Sequence, residues 1–183
     1  MIYAEIMRQK ARFALRDATA RWHQRVDAVF SAADLADRVS YGQFLCAQAA
    51  AHLPVEHALD AGRMEEVVPD WPVRRGAHLI CEDLVACGLD MPALEPEPVF
   101  AGVAAMLGAT YVLEGSRLGG TLLRRSVPVS FPTAFLSDGS PTAWRDLILL
   151  LDARLVTATD LDTAIAAACD TFALFERSGR RFL

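Results

Sequence analysis

Apolar residues recur every three to four positions along most of the chain, as they do on one face of an α-helix. No segment shows the strict apolar–polar alternation, bounded by paired turns, that is typical of strands. The pattern therefore predicts an all-α fold. The predicted helices run from about residue 4 to 29, 40 to 62, 71 to 88, 99 to 125, 141 to 156 and 161 to 178.

Several helix ends carry local signals. Ser40 is a predicted N-cap, and Pro54 is expected to kink the second helix. Asp70 is expected to cap the third helix, which ends at Gly88. A serine followed by a proline in the segment SPTAW, residues 140–144, predicts the start of another helix.

Composition and charge limit the function classes. The chain has 183 residues, of which 53% are hydrophobic, so we predict a single globular domain over residues 1–183. A net charge of −5 argues against a nucleic-acid partner, whose binding surface would be basic. No apolar run is long enough to span a membrane, and the charged N-terminus does not resemble a signal peptide. Four scattered cysteines indicate reduced thiols and a cytoplasmic protein.

The stretch YVLEGSRLGG, residues 111–120, places glycines at 115, 119 and 120 inside a predicted helix. Each glycine costs about 1 kcal/mol relative to alanine in a helix interior. Helix termination does not explain Gly115, which lies one turn before Gly119 on the same face. We infer that a flat object approaches the bare backbone of this helix.

Among the four histidines, His23 is the best candidate metal ligand. Asp27, one turn later, can accept the second ring N–H and fix the tautomer of the imidazole. His52 and His78 also have a glutamate at this spacing, so the spacing alone does not distinguish them. The position of Arg16 distinguishes His23 from them, because Arg16 lies two turns before His23 on the same face. A cation there could hold an acidic group of a bound ligand. The absence of any Glu-x-x-His excludes the di-iron carboxylate class.

Two segments resemble the haem oxygenase family, particularly its bacterial members. LRDATARWHQRVD, residues 15–27, resembles the first helix of the family, with a basic residue seven positions before the histidine ligand and an acid four after it. YVLEGSRLGG resembles the glycine-kinked distal helix. The order of the segments and the roughly 90 residues between them also fit.

The resemblance implies a haem held between the first, proximal helix and the distal helix. His23 would be the axial ligand of the iron, tuned by Asp27. Arg16, Tyr111 and Arg145 would contact the haem propionates. The remaining implied site residues belong to the distal helix: Gly115, Ser116, Gly119 and Gly120 at the oxygen-binding face, and Arg117 as a further haem contact.

The implied reaction is cleavage of haem b at the α-meso carbon to biliverdin, CO and ferrous iron, with O2 as oxidant. Electrons would come from a ferredoxin or a flavoprotein reductase, and a bacterial phytochrome is a candidate acceptor of the biliverdin. Two alternatives stay open. One is a non-catalytic haem or bilin carrier or sensor of the same fold. The other is a thiamin-degrading hydrolase with a cysteine nucleophile, for which Cys81 with His78 three residues before it is the candidate pair.

Overall fold

The computed structural model describes residues 11–183, and within that range the regular structure is helical throughout. This confirms the all-α prediction. Residues 4–10 of the first predicted helix lie outside the described range. The α-helices are α1 (Ala11–Phe30), α2 (Arg38–Ala61), α3 (Trp71–Arg74), α4 (Ala77–Cys87), α5 (Gly102–Leu123), α6 (Pro141–Arg154) and α7 (Ala158–Phe182).

Two predicted capping interactions were wrong, although α3 begins at Trp71, directly after Asp70, as expected. Asp37, not Ser40, caps α2, because its carboxylate accepts a hydrogen bond from the Ser40 N–H at 2.8 Å. Asp70 makes no capping hydrogen bond; its carboxylate instead lies 2.8 Å from the Arg74 guanidinium. The predicted third helix is in fact two helices, α3 and α4, because the backbone of Arg75 is extended and Gly76 starts the next helix.

Other boundaries agree to within a few residues. α2 continues through Pro54 as one helix. Ser140 caps α6 as expected, accepting from the Ala143 N–H. The last helix starts earlier than predicted, after Thr157, whose hydroxyl accepts from the Asp160 N–H. It also runs on to Phe182, four residues beyond the predicted end at Ser178.

The long C-terminal helix α7 organises the packing, since it lies against α1, α2 and α5. Two glycines allow close contact along it. A Cβ on Gly108 of α5 would overlap the backbone of Ala164, and one on Gly179 would lie 2.6 Å from the Val29 side chain of α1. α7 thus holds α1 and α5 in one unit, and these two helices carry the candidate haem-site residues other than Arg145 of α6.

None of the helices within residues 11–183 combines the length and apolar character that a bilayer-spanning segment needs. The four cysteines are half-buried free thiols, as expected.

Candidate active site

A cavity of about 660 Å³ opens between α1 and α5. These two helices supply most of its walls, and α2, α6 and α7 close it with aromatic and polar side chains. A volume of this size lies within the range of cavities that enclose cofactors and drug-sized ligands. The residues contributed by the closing helices are Phe44, Gln48, Trp144, Phe172 and Phe175.

His23 lines the cavity from α1, with its imidazole oriented by two neighbours. Its Nδ1 lies 2.8 Å from Oδ2 of Asp27. Its ring meets the edge of Phe172 at a centroid distance of 5.8 Å. Because Asp27 engages Nδ1, Nε2 is the ring nitrogen left to coordinate a metal. The His23 side chain is 62% exposed, so a ligand entering the cavity can reach it.

Gly115 and Gly119 present bare backbone of α5 to the same cavity. A Cβ added to Gly119 would meet no atom within 4 Å, and one on Gly115 would touch only the Trp144 ring, at 3.6 Å. Nothing in the protein itself therefore requires glycine at position 119. Ser116 also lines the cavity, between the two glycines.

Gly120 does not face the cavity, so its expected place in the oxygen-binding wall is corrected. It is buried, and a Cβ at this position would lie 3.3 Å from Cδ2 of Leu136. The reason is helical geometry, because each residue turns the side-chain direction by about 100°. Gly120 therefore points away from the face that Gly115 and Gly119 share.

Arg117 is not where the resemblance places it. It points away from the cavity and is buried behind α5, where its guanidinium contacts Glu114 and Asp138, so its expected haem contact is corrected. Arg145 is exposed on α6 beside Asp146 and does not line the cavity, and its propionate contact stays a prediction.

Arg16 of α1 and Tyr111 of α5 both line the cavity, close enough for the charge of Arg16 to act on the Tyr111 phenol. Burial raises the pKa of the Tyr111 phenol, although the Thr19 hydroxyl and the charge of Arg16 act to lower it. Tyr111 is therefore a neutral hydrogen-bond donor at neutral pH. The Arg16 guanidinium pairs with Asp17 at 2.8 Å and is mostly exposed, so it can move to an anionic ligand.

Gln48 of α2 is a site residue that the sequence analysis missed. It is only 7% exposed, it lines the cavity, and its Oε1 atom has no hydrogen-bond partner. One turn further on, the buried His52 lies 3.1 Å from Glu56, and its Nδ1 is also without a partner. The spacing of these three polar residues on one face of an alanine-rich helix was a visible signal.

The cysteines take no part in the cavity, since none of the four lines it. Burial raises the pKa of Cys81, and the nearby Glu56 carboxylate raises it further. A catalytic cysteine needs the opposite shift. The structure therefore gives no support to the thiamin-degrading alternative.

Comparison with known proteins identifies the family. No protein-family model matches the chain. A protein of Xanthomonas campestris pv. campestris described as a haem oxygenase is 35% identical over 135 residues, which cover 65% of this chain and 81% of that relative. The chain belongs to the haem oxygenase family.

A solved structure of a haem oxygenase shares this fold. A crystal structure of the NO- and CO-bound haem oxygenase from Neisseria meningitidis superimposes with a TM-score of 0.83, covering 95% of this chain and 92% of that one. At 22% identity this likeness establishes the fold. This member of the haem oxygenase family thus has the helical architecture that the resemblance of residues 15–27 and 111–120 implied.

Proposed function

We propose that this member of the haem oxygenase family cleaves haem at the α-meso carbon to biliverdin, CO and ferrous iron. One observation carries the proposal. A cavity of about 660 Å³ has an oriented imidazole, His23, on one wall and a strip of bare helix backbone, Gly115 and Gly119, on the other. This is the arrangement that a flat, iron-bearing macrocycle requires.

The residues present fit a haem. The surface of the cavity is largely apolar, with several aromatic rings among its lining residues, and polar groups make up the smaller part of it. When bound, the haem supplies the iron that activates O2, and it is itself the molecule that is oxidised. His23 would hold the iron through Nε2 as a neutral imidazole, and Asp27 would hold the ring by its Nδ1–H.

Gly115 and Gly119 would leave space for the iron-bound oxygen next to the α5 backbone, and Ser116 would place a hydroxyl between them. Gln48 would act at a greater distance. Its buried, partnerless Oε1 can accept a hydrogen bond from water in the cavity and so hold that water in place.

Arg16 and Tyr111 would seat the haem by its propionates. A guanidinium can bind a carboxylate through two parallel hydrogen bonds, and a phenol adds one directional bond. Arg16 belongs to the His23 helix and Tyr111 to the glycine helix, so together they would grip one edge of the ring from both sides. This seating would select the meso carbon, and we expect the IXα isomer of biliverdin.

The reaction needs O2 and an external source of electrons, for which a ferredoxin or a flavoprotein reductase is our proposed donor. Arg124 and Arg125, just beyond α5, are candidate contacts for an acidic donor. A bacterial phytochrome remains a candidate acceptor of the biliverdin. The cytoplasmic location expected from the sequence also stays a prediction.

The experiment is to add haemin to the protein, then reductant and oxygen, and to follow the visible spectrum with catalase present. Catalase removes free peroxide and so suppresses non-enzymatic haem degradation. Decay of the Soret band with growth of biliverdin absorption supports the proposal. A stable haem complex under these conditions would instead identify a carrier or sensor of the same fold.

A further inference from the structure

Three buried charged side chains and one partly exposed carboxylate form a cluster on the side of α5 that faces away from the cavity. We call Arg74, Glu114, Arg117 and Asp138 the buttress cluster. Glu114 and Arg117 belong to the same two helical turns as Gly115 and Gly119, but they point in the opposite direction. Their side chains are 4% and 7% exposed, respectively.

The guanidinium of Arg117 joins three segments of the chain. It donates to Oε1 of Glu114 on its own helix at 3.0 Å, and to the backbone carbonyl of Arg74 at the end of α3. It also donates to the backbone carbonyl of Asp138 at 3.1 Å and pairs with the Asp138 carboxylate. Arg74 continues the network, because its guanidinium donates to the Ala143 carbonyl of α6 at 2.9 Å.

A second observation concerns the segment 134–139, which lies directly on the back of α5. A Cβ on Gly139 would lie 2.6 Å from both the Arg117 carbonyl oxygen and Cγ2 of Thr121, so only glycine fits there. The other end of the segment is fixed by Asp83, whose carboxylate accepts hydrogen bonds from the N–H groups of Ala134 and Phe135. Residues 134–139 therefore pack against α5 on the side opposite the cavity, at the same helical turns where Gly115 and Gly119 lack side chains.

Buried ion pairs are weak devices for stability, because apolar side chains of similar volume often serve as well. They do fix the relative positions of the segments that they join, since a planar guanidinium donates hydrogen bonds only in set directions. On the cavity side, Gly115 and Gly119 have no side chains through which α5 could pack against a neighbouring element. The contacts on the other side of the helix therefore contribute directly to the position of this segment.

We propose that Arg117, through the buttress cluster, is a positioning residue that sets the distance of the glycine strip from the haem. The proposal rests on the proposed function. Arg117 touches neither the substrate nor the cavity; it acts through Gly115 and Gly119. A small displacement of such a wall can cost a large factor in rate, because active-site geometry is sensitive at the scale of 1 Å.

The test compares haem complexes of the wild type with the variants Arg117→Met and Glu114→Gln. The control is Arg154→Met, which removes the same charge at an exposed position at the end of α6, outside the cluster and the cavity wall. Three quantities are measured: haemin affinity, kcat, and the infrared C–O stretch of the ferrous CO complex, which reports the surroundings of the ligand on the glycine side. Thermal unfolding of the haem-free proteins gives the melting temperature of each variant, so that the other measurements are made at temperatures where the variant is folded.

We expect the two cluster variants to shift and broaden the C–O band and to lower kcat by about ten- to a hundred-fold, with a small change in haemin affinity. Arg154→Met should match the wild type. Variants that melt earlier but keep the wild-type C–O band and kcat would overturn the proposal, since the cluster would then be structural only. If Arg117→Met does not fold, Glu114→Gln and Arg117→Lys decide by the same readouts. A wild-type protein that binds no haemin would contradict the proposed function itself. An active wild type with unaffected cluster variants would contradict only the positioning role of Arg117.

Discussion

The Nδ1 atom of His23 lies 2.8 Å from Oδ2 of Asp27, one helical turn along α1. His52 and Glu56 show the same spacing in α2, at 3.1 Å, but that pair is buried and engages Nε2 rather than Nδ1. The two pairs therefore have different uses. The first leaves Nε2 free at a cavity wall, as a metal ligand requires, and the second fixes backbone N–H groups inside the protein.

The glycine strip can be tested by filling it. Gly119→Leu places a side chain in space that is open in the protein, so the free energy of unfolding should stay the same or rise by about 1 kcal/mol. The same side chain would occupy the space of the haem face, so haemin affinity or turnover should fall at least tenfold. Haemin titration and chemical denaturation measure the two effects.

Two neighbouring glycines of α5 serve as controls for this variant. Gly120→Ala should keep haem binding, because this residue packs against Leu136 on the other side. Gly108→Ala should destabilise the fold by several kcal/mol, because its Cβ would overlap the backbone of Ala164. Normal turnover in Gly119→Leu would show that nothing approaches α5 closely there.

The seating of the substrate is tested by the identity of the pigment. The wild type should yield the IXα isomer, and Arg16→Ala should yield a mixture, because Tyr111 alone cannot prevent rotation about the iron–histidine axis. Turnover should continue, since Arg16 is at the cavity edge and mostly exposed. Chromatography of the extracted pigment separates the isomers. A β or δ product from the unaltered protein would mean that other residues seat the haem.

Gln48 should matter for turnover but not for folding. Gln48→Leu removes a buried polar atom that has no partner, so the stability should be unchanged or higher. Loss of the water that Gln48 holds should lower kcat about tenfold, which corresponds to about 1.4 kcal/mol. Gln43→Leu on the same helix, at an exposed position, is the matched control. Equal turnover in both variants would remove Gln48 from the mechanism.

The His52–Glu56 pair makes stability depend on pH. Burial alone would raise the pKa of Glu56, but His52 and the N–H groups of Gly76 and Ala77 hold it below its usual value. A lowered folded-state pKa adds stability above the unfolded-state value of 4.5, and this stability is lost as the pH falls through the folded-state pKa.

Glu56→Gln should therefore lower the free energy of unfolding by about 1–3 kcal/mol at pH 7. The difference from the wild type should shrink progressively below pH 4.5. Urea denaturation between pH 7 and pH 3 measures it. Glu97→Gln, at a half-exposed carboxylate paired with His57, should show little change at any pH. If the difference in free energy of unfolding between the wild type and Glu56→Gln persists in acid, the ionised Glu56 carboxylate is not the source of the pH dependence.

Much of the fold and part of the site could be predicted from the sequence, and the limits have physical causes. Helix periodicity located α1 and α5, and the one-turn spacing of Gly115 and Gly119 placed them on a common face. The same periodicity turns Arg117 by about 200° from Gly115, so its position behind the helix was also predictable. The sequence shows Gln48 as a polar position on the same face as His52 and Glu56 of an alanine-rich helix. That its side chain reaches the cavity depends on the packing of α2, which this local pattern does not specify.

The central claim is that the haem lies between His23 and the glycine strip, and its axial ligation tests this most directly. Haemin added to the wild type should give the spectrum of a histidine-ligated iron. His23→Ala should lose it and regain it with added imidazole, whereas His57→Ala and His78→Ala, at exposed positions, should keep it. A His23→Ala variant that retains the wild-type spectrum without imidazole, or its loss in either of the other two, would contradict the account.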